Sequence, residues 1–461
     1  MGRKPSVVVC GAGMAGLTAA LCAQQAGAQV DVIEKGPDIG GSAALSGGLI
    51  WTFAALEELL EALPDGDPRL QSLVHRTLDD SVRWLREQGA TVEREESIFA
   101  HGAGYRIEPV ETLESLRSRI VANGGSLHFE TALECLLVSE GRVRGVRART
   151  GYGDSKCLAA DATVLATGGF QGNPELLTRY VVRSATDVYL RSNPWSTGDA
   201  LLAATQVGAN LTGGLDAFYG HSMVAPPSRF AMSQFREASQ YYGPVSIALD
   251  QYGRRFVDES AGTGEESLNA ALARQEGGIG YYVLDAEIVH GDHACTRIAT
   301  KTIVERAQHL GAPMVVAETL GQLCAGLGSF GVPSEAARAT IQEFNRACEA
   351  GRTEFLQPRR TRNPHPVQTP PFVAIGVKAA ITFTTGGLHV DDRCRVLARA
   401  ASSSVLAQSI TELEHHREVA IAGLYSAGSD LGGFHGRGYA GGLAAALTTG
   451  RVAGQSAAGT I

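Results

Sequence analysis

Three glycines and one acid have the residue types and the spacing needed to bind a dinucleotide. Gly11, Gly13 and Gly16 form a G-x-G-x-x-G turn, in which the first glycine allows a tight turn and the second lets backbone approach a pyrophosphate. The third lets the following helix pack closely on the preceding strand. Glu34 follows about 20 residues later, where a carboxylate binds ribose hydroxyls. Together these four residues predict a dinucleotide site.

The elements that would position these residues are also visible in the sequence. Val7 to Cys10 is an apolar, β-branched run that is typical of a buried parallel strand. A helical pattern runs from Leu17 to Ala26 and ends before a glycine, and Gln29 to Ile33 predicts a second strand. The pyrophosphate would lie on N–H groups at the start of this helix. The alternative interpretation is an ordinary βαβ unit whose glycine turn binds nothing. The helix N-terminal candidates are Met14 and Ala15.

A glycine-rich segment after the second strand is the next candidate for cofactor binding. It reads GGSAALSGGLIW, and two glycine pairs this close together open the backbone to close approach. An ordinary surface loop is the alternative interpretation of this segment. Such a loop less often ends in apolar residues such as Leu49 to Trp51. We therefore interpret the segment as wrapping a flat, partly apolar ligand. The candidates in and before this segment are Lys35, Gly41, Ser42, Ser46, Gly47 and Gly48.

Two more strands are predicted to run into glycine turns, one in ATVLATGGF and one in GLYSAGSDLGG. Ligands collect at such strand ends in a parallel sheet. A helix of small residues, Leu443 to Ala453, follows the second turn, and its N-terminal N–H groups could face a ligand carbonyl. The further cofactor-binding candidates are Val138, Thr167, Gly168, Gly169, Asp199, Gly428, Asp430 and Gly442.

Composition restricts the partners and the compartment. The chain has 461 residues, 44% of them hydrophobic, and a formal net charge of -8. Nucleic acid and anionic membranes need a basic face, so neither is expected as the main partner. The eight cysteines contain no C-x-x-C pair, and no metal site is predicted. With no signal-peptide segment and no apolar run of roughly 18 residues, we expect a cytoplasmic protein without membrane insertion.

The order of patterns predicts an α/β protein with one interrupted domain. The composition changes near Leu211, where aromatic residues, Met and Pro appear, and we predict an inserted α+β domain over 211–366. The first domain, a doubly wound parallel sheet with a β-meander, would comprise 1–210 and resume over 367–461. A glycine-broken loop is predicted over 100–109.

The ordered motifs resemble one flavoprotein superfamily over nearly the whole chain. They are GAGMAG with Glu34, GGSAALSGGLIW, ATGGF, GRRFVDE, TFTTGGLHVDD and GLYSAGSDLGG. The set is similar to the superfamily that holds fumarate reductase flavoprotein subunits, 3-ketosteroid dehydrogenases and tricarballylate dehydrogenase. This resemblance implies FAD as the cofactor, a Rossmann-like FAD-binding domain interrupted by a cap domain, and a substrate between them at the flavin ring.

The chain departs from the fumarate reductase pattern at several positions. The segment Ser42 to Leu45 lacks the His of the covalent flavin link in succinate dehydrogenase-type enzymes, so FAD is expected to be noncovalent. No Arg is present over 259–266, where fumarate reductases have their proton donor. Phe383 replaces a His, and Tyr439 replaces the late substrate-binding Arg. These differences predict a pocket without the Arg and His set that holds a dicarboxylate.

The YAGG segment from Tyr439 to Gly442 resembles the Tyr-Pro-Gly element of the ketosteroid dehydrogenases, and SGGLIW resembles their S-G-G-x-x-W stretch. The resemblance implies that Tyr439 takes part in proton abstraction and that a nearby N–H group receives the substrate carbonyl. The donor stays open between Gly442 and Leu443. A tyrosine has a pKa of about 10 in water, so a base at Tyr439 needs a neighbour or a helix dipole. A packed tyrosine beside a glycine turn is the alternative.

Several other residues compete for supporting roles at this site. A second hydroxyl could come from Tyr105, Tyr219 or Tyr242. His221 is either a site residue or a structural one. Arg437 either binds a substrate carboxylate or faces solvent.

These residues favour a dehydrogenase that introduces a C=C bond α,β to a ketone, by Tyr-assisted α-proton abstraction and β-hydride transfer to flavin N5. The expected substrate is a cyclic ketone, either of the cyclohexanone type, such as 4-oxocyclohexanecarboxylate, or a 3-oxosteroid. A C=C reductase, a polycarboxylate dehydrogenase of the fumarate reductase or tricarballylate type, and a non-catalytic electron carrier are the alternatives. No second dinucleotide-binding unit is identified for a nicotinamide nucleotide, so oxygen, a quinone or another protein is the expected acceptor. The oligomeric state stays open.

Overall fold

We describe the protein from a computed structural model over residues 3–98, 102–262, 265–291, 293, 296, 298–399 and 418–459. The chain divides into two compact units. The first unit consists of Met1–Leu176, Ser192–Ala217 and Phe383–Ile461, and the second consists of Leu177–Arg191 and Phe218–Thr382. Each unit is therefore built from segments that lie far apart in the sequence.

The described residues form strands and helices with the following bounds. The strands are β1 (Ser6–Cys10), β2 (Gln29–Ile33), β3 (Leu49–Phe53), β4 (Val92–Ile98), β5 (Gly102–Ile107), β6 (Ser126–His128), β7 (Thr131–Ser139), β8 (Arg142–Thr150), β9 (Ser155–Ala159), β10 (Ala162–Leu165), β11 (Tyr189–Leu190), β12 (Phe218–Tyr219), β13 (Met223–Val224), β14 (Ile247–Leu249), β15 (Ile279–Leu284), β16 (Met314–Ala317), β17 (Phe372–Lys378), β18 (Ala380–Ile381), β19 (Phe383–Thr384), β20 (Arg395–Arg399) and β21 (Glu418–Ser426). The α-helices are α1 (Met14–Gln25), α2 (Leu56–Ala62), α3 (Pro68–Glu87), α4 (Pro109–Ala122), α5 (Pro174–Tyr180), α6 (Asp199–Gln206), α7 (Phe235–Ala238), α8 (Glu266–Leu272), α9 (Ala286–His290), α10 (Thr300–His309), α11 (Leu320–Gly328), α12 (Ser334–Glu349) and α13 (Gly442–Ala457).

A parallel sheet lies at the centre of the first unit. Its strands follow the order β6-β2-β1-β10-β21, and each neighbouring pair is parallel. Side chains alternate along each strand, so both faces of such a sheet are buried. In β1, Val7 and Val9 join one core cluster, and Val8 and Cys10 join the other. The first two predicted strands are therefore confirmed.

Two helices rich in small residues pack together on one face of this sheet. A Cβ atom at Gly450 of α13 would lie 2.6 Å from the carbonyl oxygen of Ala15 in α1. A Cβ atom at Gly454 would overlap the carbonyl oxygen of Ala19, one turn further along. Glycine at both positions therefore lets the two helix backbones approach closely. The helix predicted near the end of the sequence is confirmed.

The opposite face of the sheet is covered by α6, and an antiparallel meander extends the sheet. Ala200, Ala203 and Ala204 of α6 lie in the same core cluster as Val8 and Cys10. Strands β7, β8 and β9 pair antiparallel in sequence order, and β8 lies beside β21. A parallel sheet with helices on both faces and a meander is the doubly wound, Rossmann-like arrangement. The predicted α/β fold class is confirmed.

A small antiparallel sheet in the first unit corrects one prediction. Its order is β3-β5-β4, and Trp51 in β3 lies opposite Gly104 in β5. The loop predicted over 100–109 is therefore wrong for Gly102–Ile107, and the two residues before this strand lie outside the described residues. A Cβ atom at Gly102 would collide with the Trp51 ring. Glycine therefore serves the packing here, although it disfavours a strand by itself.

The second unit contains an antiparallel sheet in the order β13-β17-β15-β14, with β16 also paired to β17. Strand β17 belongs to this sheet, although the predicted insertion ends at residue 366. The two compact units are defined by the contacts within each of them. The predicted FAD-binding domain over 1–210 and 367–461, and the predicted cap domain over 211–366, stay predictions.

A buried cluster of charged side chains connects distant segments of the second unit. Glu259 accepts hydrogen bonds from Arg255 Nε at 2.8 Å and from Arg360 Nη1 at 3.0 Å. Arg360 also donates to the carbonyl oxygens of Ser246 and Pro244. Glu259 is fully buried and the two arginines are nearly so. The cluster therefore anchors the Pro-rich segment that precedes β17.

Candidate active site and cofactor-binding site

The glycine turn between β1 and α1 has the geometry that a pyrophosphate needs. Gly11 has a φ of +109°, and a Cβ atom there would overlap the carbonyl oxygen of Ala166. A Cβ atom at Gly16 would overlap the carbonyl oxygen of Gly11 in turn. At Gly13, by contrast, the nearest atom to an added Cβ is 3.8 Å away, in Gly40. A Cβ atom at Gly13 would therefore meet only ordinary van der Waals contacts at the start of α1, where the first helical residues are Met14 and Ala15.

Glu34 lies directly after β2 and faces the same turn. Its Oε2 accepts a hydrogen bond from the Ala12 N–H at 2.7 Å, and its Oε1 accepts one from the Gly36 N–H at 2.7 Å. A carboxylate has about four acceptor positions, so each oxygen can also accept a ribose hydroxyl. The backbone therefore fixes this carboxylate at the place that nucleotide binding requires.

Lys35 and Asp199 form an ion pair in the first unit, with 3.1 Å between Nζ and Oδ1. The Thr197 hydroxyl donates to the same carboxylate at 2.7 Å. Asp199 is the first residue of α6, where a negative charge is stabilised by the positive end of the helix dipole. These two predicted cofactor residues thus connect the end of β2 to the start of α6.

Asp430 holds together two of the glycine turns that were predicted to bind the cofactor. Its carboxylate accepts hydrogen bonds from the N–H groups of Thr167 and Gly169, and from the Thr167 hydroxyl at 3.0 Å. Burial raises the pKa of Asp430 to about 6, against the opposite effect of these hydrogen bonds. Gly168 and Gly428 have φ values of +96° and +68°. The tight turns that follow β10 and β21 are therefore held together by the Asp430 carboxylate.

Ser42 anchors the glycine-rich segment that follows β2. Its hydroxyl oxygen lies 2.5 Å from that of Ser192 and accepts a hydrogen bond from Asn193 Nδ2 at 2.8 Å. Gly41 has a φ of +52°, and a Cβ atom there would lie 3.4 Å from the Cα of Gly13. This segment therefore borders the glycine turn at which we place the pyrophosphate.

The second glycine pair of that segment leads into β3. Gly48 has a φ of +74°, and its N–H donates to the Ser46 hydroxyl at 3.2 Å. In the described part of the chain, no atom lies within 4 Å of a Cβ built at Gly47. This backbone is therefore open to a ligand. Val138 is 51% exposed on β7, and its role in cofactor binding stays a prediction.

Three aromatic rings surround Tyr439 in the first unit. The Tyr439 ring meets Trp51 edge-on at 5.5 Å, stacks on His435 at 5.8 Å and lies 6.1 Å from Phe383, measured between centroids. Trp51 is fully buried, whereas Tyr439 is partly exposed. Gly441 has a φ of +100°, and a Cβ there would overlap the Trp51 carbonyl oxygen. The packing thus fixes the position of a tyrosine that solvent still reaches.

The N-terminus of α13 lies at the Tyr439 hydroxyl. The Gly442 N–H donates to the phenol oxygen over 3.4 Å. The Ala445 N–H donates to the Gly441 carbonyl, so the N–H groups before it have no partner within the helix. Among the described residues, none accepts a hydrogen bond from the Leu443 N–H. Of the two donors that the sequence left open, Gly442 is thus engaged by Tyr439.

His435 belongs to this cluster, although the sequence analysis did not select it. Its ring is buried, and Nδ1 accepts a hydrogen bond from the Ala440 N–H at 3.3 Å. Burial lowers the pKa of His435 to about 3. The ring is therefore neutral at physiological pH, and its proton lies on Nε2 because Nδ1 is the acceptor. Its position four residues before Tyr439 in FHGRGY was the signal that could have identified it.

Arg437 and Tyr105, two other predicted catalytic residues, have charged partners in the first unit. Arg437 Nη1 donates to Asp216 at 2.6 Å, and Nε lies 3.8 Å from Asp65. The Tyr105 hydroxyl donates to Asp79 at 2.8 Å, and burial together with this acid raises the pKa of Tyr105. Both side chains therefore have structural contacts that compete with the predicted roles, which stay predictions.

Tyr219, His221 and Glu265 form a hydrogen-bonded chain in the second unit. The Tyr219 hydroxyl lies 2.7 Å from His221 Nε2, and His221 Nδ1 lies 3.1 Å from Glu265 Oε2. Burial lowers the pKa of His221 well below its usual value and raises that of Glu265 well above. Glu265 therefore keeps its proton to a higher pH than an exposed glutamate does. Two predicted candidates are thus linked to an acid that the sequence analysis missed.

Tyr242, the third candidate for a second hydroxyl, has different surroundings. Its hydroxyl donates to Gln240 Oε1 at 2.5 Å, and its side chain is fully buried. Burial raises the pKa of Tyr242 well above its usual value. Tyr282, another buried tyrosine, donates to Glu265 at 3.1 Å. These contacts form only when distant segments fold together, so the sequence carried no local signal for Glu265 or Tyr282.

The fold and the first-unit site define a class of protein. A doubly wound parallel sheet, with an open glycine turn at a helix N-terminus and an acid after the second strand, is typical of dinucleotide-binding oxidoreductases. The uncrowded backbone at Gly13, at a helix N-terminus, fits the close approach of the pyrophosphate of FAD, and the free acceptor positions of Glu34 fit its ribose. The family described as FAD binding domain matches residues 6–444. The chain belongs to this family, and its cofactor is FAD.

Known relatives of the chain include both reductases and dehydrogenases. Fumarate reductase (cytochrome) of Shewanella frigidimarina is 28% identical over 98% of this chain and 76% of the relative. 4-Oxocyclohexanecarboxylate 2-dehydrogenase of Sinomonas cyclohexanicum is 25% identical over 98% of this chain and 92% of the relative. The structure of 3-ketosteroid delta1-dehydrogenase from Sterolibacterium denitrificans matches with a TM-score of 0.73 and 19% identity, covering 99% and 100% of the two chains. The predicted resemblance is confirmed, and the chain is an FAD-dependent oxidoreductase.

The described residues were also compared with the requirements of a membrane-spanning helix and of a metal site. Across the described ranges, no helix is both long enough and apolar enough to cross a membrane. The same ranges contain no group of three or more His, Cys, Asp or Glu side chains arranged to hold a metal ion. Cys10 and Cys22 are buried thiols.

Proposed function

We propose that this FAD-dependent oxidoreductase acts on carbon–carbon bonds as a dehydrogenase, and that it introduces a double bond α,β to the carbonyl of a cyclic ketone. A ring ketone of the cyclohexanone type is the favoured substrate class, and a 3-oxosteroid is its larger alternative. The relative named 4-oxocyclohexanecarboxylate 2-dehydrogenase supports this proposal. So does the YAGG segment, which takes the place of the substrate-binding Arg of the fumarate reductases.

One observation carries the proposal, namely the hydrogen bond from the Gly442 N–H to the Tyr439 hydroxyl at the N-terminus of α13. An N–H donor at the positive end of a helix stabilises negative charge on the phenol oxygen. A tyrosine in this position is suited to accept a proton from a carbon acid. His435 beside it is neutral, so it cannot compete with the substrate as a proton source at neutral pH.

The proposed step removes one proton and one hydride from the substrate. Tyr439 accepts the proton from the carbon α to the carbonyl. The Leu443 N–H and the dipole of α13 stabilise the negative charge that develops on the carbonyl oxygen. FAD, which the Gly13 turn and Glu34 would hold, would supply the oxidant for the hydride that leaves the β carbon. The ring of Trp51 holds Tyr439 at this helix terminus during the reaction.

Anaerobic flavin reduction tests the proposal. The purified protein is mixed with cyclohexanone, 4-oxocyclohexanecarboxylate or a 3-oxosteroid, and absorbance is followed at roughly 450 nm, the band of oxidised flavin. We expect a ketone to bleach the flavin, and Tyr439→Phe to slow this reduction by about 10²- to 10⁴-fold, the usual contribution of a general base. Tyr152→Phe is the matched control, because Tyr152 is 94% exposed. Unchanged reduction by Tyr439→Phe would contradict the role of this residue.

The Tyr219–His221–Glu265 chain favours a second candidate function, the reduction of a C=C bond. Such a chain can pass a proton from a buried acid through an imidazole to a hydroxyl. Tyr219 would then supply the proton to a substrate carbon, as a reductase requires. The relative named as a fumarate reductase supports this alternative.

The two functions differ in the tyrosine that they need. With chemically reduced enzyme and fumarate or an enone as the oxidant, a reductase loses flavin reoxidation in Tyr219→Phe and keeps it in Tyr439→Phe. A ketone dehydrogenase shows the opposite dependence during reduction by the ketone. Oxygen, a quinone or another protein stays the predicted acceptor, and trials of each in steady-state turnover will identify it.

A further inference from the structure

One arginine of the second unit has a buried guanidinium that is held by neutral groups. Arg191 is 7% exposed. Its Nε donates to Ser239 at 2.9 Å, Nη1 donates to Thr382 at 2.9 Å, and Nη2 donates to the Tyr241 hydroxyl at 3.1 Å. The Phe235 ring centre lies 4.6 Å from its Cζ. Each terminal nitrogen carries two N–H groups, so within the described residues one on each remains for another acceptor.

Buried charges in proteins are normally paired, because an unpaired charge loses its hydration without compensation. The other strongly buried arginines of this unit follow the rule, since Arg255 and Arg360 share the carboxylate of Glu259. Arg191 differs from them. No carboxylate oxygen of the described residues lies within 4.0 Å of its guanidinium nitrogens.

Glu265 is the acid on which the charge of Arg191 acts, and other side chains hold its carboxyl oxygens. Its two oxygens are engaged by His221 at 3.1 Å and by Tyr282 at 3.1 Å. Burial raises the pKa of Glu265 well above its usual value, although the positive charge of Arg191 acts in the other direction. His221 is neutral for the same reason, since burial and Arg191 both lower its pKa. The side chains that accept hydrogen bonds from Arg191 are therefore neutral hydroxyl groups, those of Ser239, Thr382 and Tyr241.

We infer that Arg191 binds a carboxylate of the substrate, and that the substrate is therefore a ring keto acid rather than an uncharged ketone. A carboxylate can accept the remaining N–H group of each terminal nitrogen as a bidentate pair, which is the strongest partner for a guanidinium. Thr382, Ser239 and Tyr241 fix the plane of the guanidinium before the ligand arrives. This inference rests on the proposed function for the ketone part of the molecule only.

Arg191 differs in burial and in its partners from Arg437, the arginine that the sequence suggested for this role. The Arg437 side chain is 53% exposed and already pairs with Asp216. A carboxylate at Arg437 would have to compete with this acid and with water, which weakens an exposed ion pair. At Arg191 the donors are buried, and no carboxylate of the described residues forms an ion pair with them.

A pair of substrates that differ only in charge tests the inference. 4-Oxocyclohexanecarboxylate carries the anion, and its methyl ester does not. We expect Arg191→Met to lower kcat/KM for the acid by about 10- to 100-fold, which is the usual effect of losing charged hydrogen bonds, while kcat/KM for the ester stays within about 3-fold. Arg274→Met, at an exposed arginine of the same unit, is the control and should leave both values unchanged. Equal loss with both substrates, or no loss with the acid, would overturn the inference.

A binding measurement keeps the test independent of turnover. Cyclohexanecarboxylate has the anion but no ketone, and its binding can be followed by calorimetry and by perturbation of the flavin spectrum. We expect Arg191→Met to raise its Kd by about 10-fold or more, and Arg191→Lys, which keeps the charge but cannot form the bidentate pair, to have an intermediate Kd. Thermal melting and flavin content identify any variant that has not folded, and Arg191→Lys then serves as the test variant.

The outcomes distinguish a failure of the inference from a failure of the proposed function. Cyclohexanecarboxylate that binds through Arg191 to an enzyme that oxidises no ketone would leave the anion site in place and contradict only the ketone chemistry. Ketone oxidation that is indifferent to the carboxylate would contradict the anion site alone. Loss of FAD from Arg191→Met with full retention of fold would assign the guanidinium to the cofactor and overturn the inference.

Discussion

Within the first glycine turn, Gly11 and Gly16 are packed against backbone, whereas a Cβ atom at Gly13 would meet only ordinary van der Waals contacts. A Cβ atom can therefore be added at Gly13 without displacing protein atoms. Its φ of -83° and ψ of -169° lie in the extended region, which a β-branched residue also adopts. One substitution at this position can thus separate FAD binding from folding.

We expect Gly13→Val to fold normally and to lose FAD, because the added methyl groups would occupy the space in which we place the pyrophosphate. Flavin content after purification and after reconstitution measures the binding, and circular dichroism measures the fold. Gly213→Val is the control, since Gly213 is exposed and a Cβ there meets no described atom within 4 Å. A yellow Gly13→Val protein with normal FAD affinity would mean that the pyrophosphate lies elsewhere.

The glycine turn could be predicted because its information is local: three glycines and an acid occupy fixed positions along a strand, a helix and a second strand. Glu265 and Arg191 could not be predicted in this way. His221 and Glu265 are 44 positions apart, and Arg191 and Ser239 are 48 positions apart. Their contacts depend on the packing of the second unit, and the spacing of residues along the chain does not predict that packing.

At the level of elements, β5 shows how packing decides a structure that propensity does not. Gly102 and Gly104 disfavour a strand by themselves, and they led to the prediction of a loop. In the folded protein β5 pairs with both β3 and β4. The glycines leave room for Trp51, whose ring in turn holds Tyr439. A segment that looked irregular therefore supports the position of the proposed base.

A fully buried carboxylate, that of Glu259, connects its own segment to that of Arg360. We expect Glu259→Gln to lower the free energy of unfolding of the protein by about 3–5 kcal/mol, because two buried guanidinium groups would lose the anion that they share. Urea denaturation, followed by intrinsic fluorescence, measures the change. Glu343→Gln, at an exposed position of α12, should change the stability by less than about 0.5 kcal/mol.

A stability of Glu259→Gln equal to that of the parent would show that the hydrogen bonds from Arg360 to the carbonyl oxygens of Ser246 and Pro244 are sufficient. An Arg360→Met variant then separates the two contributions. It removes the hydrogen bonds to the carbonyl groups together with the Arg360–Glu259 pair, and it leaves the Arg255–Glu259 pair intact.

For the whole molecule, buried groups with shifted pKa values make stability depend on pH in opposite directions. His435 has a pKa of about 3 when folded and about 6.5 when unfolded. As the pH falls below about 6.5, the unfolded chain binds a proton that the folded protein rejects, and stability falls. Asp430 has a raised pKa of about 6 when folded, so its contribution is present at low pH and is lost as the pH rises through 6.

We expect His435→Asn to reduce the loss of stability on acidification between about pH 6.5 and 4, by up to ~1.4 kcal/mol for each pH unit. Asn can keep an acceptor for the Ala440 N–H while removing the titrating ring. Denaturation curves of the variant and the parent, measured at several pH values, give the difference. Since Asp430 and His221 are unchanged in the variant, their contributions cancel in this comparison. His309→Asn, at an exposed histidine, should leave the pH profile unchanged, and an identical profile for His435→Asn would mean that this ring titrates normally.

The order of motifs along the whole chain carried enough information to identify the family, because each motif lies at a turn whose geometry the cofactor requires. The extent of the compact units was harder to predict. Strand β17 looks like any buried strand in the sequence, and only its pairing with β15 and β16 assigns it to the second unit. Composition marks where a new segment begins, whereas strand pairing determines the unit to which it belongs.

The close packing of α1 and α13 also has a consequence for the order of folding during synthesis. The ribosome makes α1 long before α13 and the Asp430 turn that closes the glycine-rich edge. At roughly 5–20 residues per second, the face of α1 that α13 covers remains exposed for tens of seconds. The packing around the nucleotide-binding sheet is therefore completed only after α13 has been made, and a chain truncated before Gly442 should leave this face of α1 exposed and bind FAD poorly.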